Sequence, residues 1–327
     1  MPRSFTLSAW GNMMTKASEK APIIYIVGAT ASGKTDLAIR LAKHLETEII
    51  SADSRYLYKE LNIGTAKPTL EERGQISHHL IDVSSVQHIW SLGEYLKAVD
   101  PIIQSIHKQN KIAILVGGTG QYYRAIVEGW QPPELPPNPG LRSAIEVWGD
   151  KIGTDALHQK LALIDPSAAV NIDARNVRRT VRAWEVIFST GNLFSEQRSR
   201  SESPYNTLTI GLDWDRESLY KRIDQRIDLM LDEGLLEEAQ NLIDQGLADF
   251  VKKIGVIGYA ESFAYLENEI DFDTCKMLIK RHTRQYVRRQ ANWFKPSDQS
   301  IHWFKATDPA YFEKMLSLIE ENFAIRR

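Results

Sequence analysis

The apolar positions of this chain fall into two kinds of run. "PIIYIVG" (Pro22–Gly28) is continuous, β-branched and aromatic, and ends on glycine. It predicts a buried parallel strand. The segment from Lys34 to Leu45 instead spaces Leu37, Leu41 and Leu45 at i, i+4, i+8, which predicts an amphipathic helix. "TEIISAD", closing on Asp53, predicts a second strand, and "HHLIDV" around Ile81 a third. "SLGEYLKAVDPIIQSIHKQ" predicts a helix capped by Ser91, with Glu94 at capping-box spacing. "KIAILVGGTG" is strand-like and ends on the glycine turn Gly117–Gly120. Alternation of this kind implies an α/β fold, a parallel sheet flanked by helices.

The pattern then changes. "GWQPPELPPNPG" (Gly129–Gly140) holds five prolines and reads as a boundary. "LRSAIEVWGD", "DALHQKLALID" and "NVRRTVRAWEVIFST" have helical periodicity, with no strand among them. "SRSESPYN" (Ser199–Asn206) is a second boundary, and "TLTIGLDW" returns to strand character. Residues 131–204 therefore read as a helical insertion in a core made of residues 21–130 and 205–327. In the second half of that core, helices are expected near Asp215–Gly234, Leu235–Gln245, Tyr259–Leu266 and Asp273–Phe294. A short strand at "IHWF" and a terminal helix follow.

Composition narrows the classes. The net charge of −2 confines any nucleic-acid surface to a local patch. A single cysteine, Cys275, excludes a disulfide framework and a cysteine-based zinc site, and is compatible with the cytoplasm. No apolar run approaches the roughly 20 residues of a membrane span, so no membrane partner is expected. Residues 1–20 are polar and aperiodic, without an apolar signal core, and read as a disordered tail. Organelle targeting by that tail stays open.

Chemistry concentrates at predicted strand ends. "GATASGKT" (Gly28, Ala29, Thr30, Ala31, Ser32, Gly33, Lys34, Thr35) has the spacing of a phosphate-cradling loop between strand and helix. Lys34 is placed for terminal phosphate oxygens and Thr35 for Mg²⁺. The motif alone does not distinguish a nucleoside triphosphate from another diphosphate. Asp53 ends the second strand, where it is either a general base, a Mg²⁺ contact through water, or an Asx-turn residue. Thr119 presents a hydroxyl in the "VGGTGQYY" run, which also reads as a plain tight turn. Arg222 and Arg226 share a helix face, directed at phosphate or simply solvated beside Asp224 and Asp228. Two clusters are basic: "ARNVRRTVR" and "KMLIKRHTRQYVRRQANWFK". The second aligns Arg281, Arg284 and Arg288 along one helical face, with Gln285 and Arg289 adjoining, and supplies Tyr286, Trp293 and Phe294. Basic stripes with aromatics point to RNA, against a solvated charged helix.

Taken in order, "GATASGKT", "ISADSRYLYKELNIGTAKP", "HHLIDV", "ILVGGTGQYY", "RRTVRAWEV", "RIDQRIDLML", "VIGYAESFAYL" and "IKRHTRQYVRRQANWFK" resemble the tRNA dimethylallyltransferase family from about Ile23 to Phe304. The resemblance implies a P-loop NTPase-like sheet with an all-helical insertion domain. It implies transfer of a dimethylallyl group from dimethylallyl diphosphate to N6 of the adenosine just 3′ of the anticodon, position 37. By this resemblance Asp53 is the general base, and Thr119, Arg226 and the Gly28–Thr35 loop hold the diphosphate. Thr35 helps place Mg²⁺, the expected cofactor. The tRNA side takes in Asp53, Ser54, Arg55, Tyr56 and Arg288, with Arg179 and Arg182 of the insertion on the anticodon stem and Arg284 and Gln285 near the flipped-out adenine. No obligate protein partner is implied. Two positions depart from the family pattern: Tyr56 stands where glutamine is usual, and Asn62 where aspartate is frequent. Competing readings are a prenyltransferase acting on free adenine nucleotides, an ATP-dependent kinase, and a non-catalytic RNA-binding module.

Overall fold

The computed structural model describes residues 20–133, 135, 138–197, 199–200 and 202–323. The expected N-terminal tail, Lys20 apart, lies outside them. In chain order the first half runs β1 (Ala21–Gly28), α1 (Lys34–His44), β2 (Ile49–Ser51), α2 (Leu70–Gln75), β3 (His78–His79), α3 (Leu92–Lys108), β4 (Ala113–Val116) and α4 (Gly120–Val127). β7 (Tyr205–Asp213) and β8 (Ile301–Lys305) complete a six-stranded sheet of order β3-β2-β4-β1-β7-β8. Every pairing in it is parallel. The carboxyl ends of β1, β2 and β4 therefore open at one edge, where ligands of such sheets bind.

β1 lies between β4 and β7, with Ile23 opposite both Ala113 and Thr207. Its residues Ile23–Val27 are fully buried, as a central strand with both faces covered requires. Ile24 and Ile26 pack on Leu37 and Leu41 of α1 and on Met315 and Ile319 of α14 (Tyr311–Asn322). On the opposite face the Tyr25 ring meets Tyr123 edge-on at 5.1 Å, and Tyr95 stacks on Tyr122 at 3.6 Å. The capping box read at Ser91 forms: its Oγ accepts the Glu94 N–H at 3.2 Å and the Glu94 carboxylate accepts the Ser91 N–H at 2.7 Å.

Two expected strands are shorter than their hydrophobicity indicates. "TEIISAD" pairs only over Ile49–Ser51, and "HHLIDV" only over His78–His79. In the second case Leu80 and Asp82 adopt left-handed φ of 59° and 58°, which breaks the ladder. The Asp82 carboxylate is instead used by Lys67 at 2.5 Å and Arg73 at 2.6 Å.

Between Tyr123 and Pro204 the chain forms a separate compact unit, Arg124–Ser203. It holds β5 (Trp130–Gln131), α5 (Pro139–Ile152), α6 (Thr154–Ile164), α7 (Pro166–Asn171), α8 (Val177–Thr190) and β6 (Ser199–Arg200). β5 and β6 pair antiparallel, so the chain enters and leaves this unit side by side. Pro139 opens α5 behind the Asn138 cap, which accepts the Leu141 N–H at 3.1 Å. The unit has its own core of Leu157, Leu161, Ala183 and Trp184. After β7 the chain builds α9 (Arg216–Asp232), α10 (Leu235–Asp244), α11 (Ala248–Ile254), α12 (Tyr259–Leu266) and α13 (Phe272–Gln290), and these five helices share a core with Leu61 and Tyr58.

Candidate active site

The glycine loop follows β1 directly. Gly33 takes φ 91° in the left-handed region, a conformation that a side chain would strain. Three loop carbonyls are held by side chains: Lys34 Nζ donates to Ala29 O at 2.6 Å, Arg222 Nε to Ala31 O at 2.8 Å, and Trp214 Nε1 to Ser32 O at 2.9 Å. The Arg222 guanidinium stacks over the Trp214 ring at 4.4 Å. The first amides of α1 have no intrahelical acceptor and carry the positive end of the helix dipole. Ser32 Oγ is buried without a partner among the described residues. These features make an anion cradle. Burial pulls Lys34 down to about 8; the Asp53 carboxylate works against that shift and the Arg226 cation adds to it.

A cavity of about 810 Å³ opens above this loop. Lys34, Thr35, Asp53, Arg55, Tyr56, Arg222 and Arg226 all line it. Asp53 Oδ1 accepts the Arg55 N–H at 2.9 Å, so the residue is an Asx turn and a cavity carboxylate at once. Gly117 follows β4 so close to this turn that a Cβ would lie 2.1 Å from Ala52 O. Thr119 is not among the cavity-lining residues. Its Oγ1 accepts the Ser54 N–H at 3.0 Å and lies 3.3 Å from Ser54 Oγ, tying the two strand-end loops together.

α9 resolves the charged face that spacing left open. Arg222 and Arg226 turn to the cavity, while Asp224 and Asp228 turn to α13. Arg284 grips Asp224 through Nη2 at 2.7 and 2.5 Å, and Lys276 and Lys280 reach Asp228 at 3.0 and 2.7 Å. Arg226 Nη2 donates to Thr65 O at 3.0 Å, and its Nε is buried without a partner among the described residues. The loop carrying Thr65 is clamped by Glu238, whose carboxylate accepts the N–H groups of Asn62, Ile63 and Gly64 at 3.0, 3.0 and 3.1 Å.

The two departures have structural explanations. Tyr56 donates its hydroxyl to Ala66 O at 3.0 Å and lines the cavity together with Arg226 and Thr35. Burial raises its pKa, against the pull of Arg226. It thus joins the cradle rather than standing apart from it. Asn62 Oδ1 accepts from the buried Lys67 ammonium at 3.2 Å, while the carboxylate of that group's ion pair comes from Asp82.

α13 presents a different face to the cavity than its arginine count indicates. Ile279, Thr283, Tyr286 and Arg289 line the cavity, with Trp293 just beyond the helix end. Arg284 and Arg288 lie in an outer groove with Arg216, Tyr220, Lys276, Lys280 and Arg281, and Gln285 lines neither. Burial, with Asp53 adding, pushes the Tyr286 phenol up to about 12, so it stays a neutral donor. In the insertion, Arg182 donates to the buried Glu185 at 2.8 Å and to Leu135 O at 2.9 Å. Arg142 and the Asn138 N–H complete the Glu185 site, each at 2.7 Å. Arg179 is half-buried on the same helix, α8. Sequence reasoning passed over Arg289 as a cavity-lining group. The i, i+4, i+7 series Ile279, Thr283, Tyr286 was the available signal.

A parallel sheet, a glycine loop at its central strand, and a carboxylate sharing one cavity with Lys34, Arg55, Arg222 and Arg226 define a phosphate-binding protein of the P-loop class. Comparison with known proteins narrows the class. The family model described as IPP transferase matches residues 56–297. A tRNA dimethylallyltransferase of Thermomicrobium roseum is 38% identical over 305 residues, covering 93% of this chain and 92% of its own. One from Bacillus subtilis is 39% identical over 296 residues, covering 90% and 94%. The crystal structure of the tRNA isopentenylpyrophosphate transferase of Bacillus halodurans aligns with TM-score 0.69 at 36% identity, over 93% of this chain and 97% of its own. A eukaryotic dimethylallyltransferase solved acting on tRNA aligns with TM-score 0.80 at 27% identity, over 93% and 79%. The chain belongs to the IPP transferase family and is a prenyltransferase.

Proposed function

We propose that this enzyme transfers a dimethylallyl group from dimethylallyl diphosphate to N6 of the adenosine 3′ of the anticodon, position 37, in tRNA, releasing diphosphate in the cytoplasm. The observation that carries this reading is the single cavity in which Asp53 faces Lys34 and Arg226. An exocyclic adenine amine is a weak nucleophile, so the reaction needs a good leaving group and a proton acceptor. As the allylic C–O bond breaks, Lys34, Arg226, Arg222 and the amides at the start of α1 take up the charge on the diphosphate. As N6 bonds to that carbon, Asp53 accepts its proton. Thr35 and the diphosphate oxygens fit Mg²⁺, beside the unpartnered Ser32 hydroxyl. The described residues hold no cluster of three His, Cys, Asp or Glu for a protein-only metal site. When bound, Mg²⁺ supplies further neutralisation of the leaving group.

The target base must leave its stack to enter a cavity of this depth, which suits a loop nucleotide. The basic outer groove and the insertion's Arg179 supply phosphate contacts for the anticodon stem-loop. Arg182 supports that surface from inside, through Glu185. Among the described residues, no helix is long and apolar enough to cross a membrane. The test is incubation with labelled dimethylallyl diphosphate and either unmodified tRNA or AMP. Label is expected in tRNA. Label in AMP alone would transfer the assignment to a free-nucleotide prenyltransferase.

A further inference from the structure

Gln290 ends α13 where that helix meets two loops of the cavity. Its side chain is 4% exposed. Oε1 accepts the Thr30 N–H at 2.9 Å and the Thr30 hydroxyl at 3.2 Å, both in the glycine loop after β1. Nε2 donates to Gly118 O at 3.3 Å, in the glycine turn after β4. A Cβ on Gly118 would lie 2.3 Å from that nitrogen, so the amide bears directly on the turn. One buried amide thus bridges loops that are 88 residues apart in sequence, the leaving-group cradle at Thr30 and the turn at Gly118. A buried, satisfied amide of this kind specifies one geometry, because any other leaves its polar atoms unpaired.

We propose that Gln290 is a positioning residue that fixes the spacing between the diphosphate cradle and the acceptor side of the cavity. It also reserves the Thr30 amide, so that phosphate is met further along the loop, at the start of α1. This rests on the prenyl-transfer reading above. Gln290 touches neither reactant; it acts through Thr30 and through Gly118, which precedes the Thr119–Ser54 link beside Asp53. Misplacement of reacting groups by about 1 Å costs on the order of 10²-fold in rate. The effect is therefore expected in kcat more than in either KM.

The test uses the full-length enzyme and Gln290→Met, which keeps the volume and removes both polar atoms. Two measurements are made: steady-state prenyl transfer to tRNA, and amide hydrogen exchange of the unliganded protein. Expected are a kcat about 30- to 100-fold lower with both KM values within about threefold. Exchange should be about tenfold faster in peptides spanning Thr30, with the β1 core unchanged. If the variant does not fold, Gln290→Glu serves: it retains an acceptor for Thr30 and should keep native exchange there while still lowering kcat. A Gln290→Met kcat within twofold of native, or native exchange at Thr30 in that variant, overturns the proposal. If the native enzyme prenylates no tRNA while Thr30 exchange still responds, the functional reading falls and the clamp stands.

Discussion

Asp53 is a turn residue that also lines the cavity, and the proposed base is this same carboxylate. Oδ1 closes the turn on Arg55 while the group faces the cavity. Asp53→Asn keeps the turn acceptor and removes the proposed base. Its kcat is expected to fall about 10²- to 10⁴-fold with tRNA affinity within about twofold. Parallel losses in both, measured by single turnover and filter binding, would make it a binding residue. Lys34 gives a pH prediction. Burial holds its folded pKa near 8, below the ordinary 10.5, so between those values the unfolded chain keeps a proton that the folded chain has released. Stability contributed at this site thus rises as pH climbs from 8 toward 10.5, and below 8 the buried charge costs stability. An anion in the cradle favours the ammonium form. Affinity for pyrophosphate is therefore expected to weaken above about pH 8, approaching tenfold per unit, with proton uptake on binding near about pH 9. Calorimetry in buffers of different ionisation enthalpy reads that uptake; pH-independent affinity without it would remove Lys34 from the site.

α13 is a helix with two jobs on two faces. Its inner face carries Thr283, Tyr286 and Arg289 to the cavity, and its outer face carries the basic groove. The cations of the outer face are not equivalent. Arg284 is committed to Asp224 and lies 5.2 Å over the Tyr220 ring, so its removal disturbs the α9–α13 contact. Arg288 is exposed in the same groove. Arg288→Ala should weaken tRNA binding and reduce the slope of log affinity against log salt by about one, with melting temperature unchanged. Arg284→Ala should lower the melting temperature as well. An unaltered salt slope in Arg288→Ala means that the groove does not carry phosphate.

At the scale of the molecule, Arg124–Ser203 has its own core and leaves the sheet through paired strands. Replacing it with a short linker should leave pyrophosphate binding within about threefold of native and weaken tRNA binding on the order of a hundredfold. Loss of both would show that the catalytic unit needs the insertion to fold. The sequence by itself determined the α/β class, the glycine loop, the capped helix at Ser91 and the convergence of Lys34 and Asp53. These follow from local spacing, because parallel strands bring consecutive carboxyl ends to one edge. It did not determine which side of each charged helix meets the cavity. Spacing put Arg222 and Arg226 on one stripe and left that stripe's direction open; it put Arg284 and Arg288 on another, which the family resemblance set on the tRNA side. Only the packed structure decided, because the rotation of α9 and α13 is set by what lies between them. Asp224 with Arg284, and Asp228 with Lys276 and Lys280, occupy that interface. The pairs turn Arg222 and Arg226 inward and leave Gln290, unremarked in the sequence, to hold the two loops together.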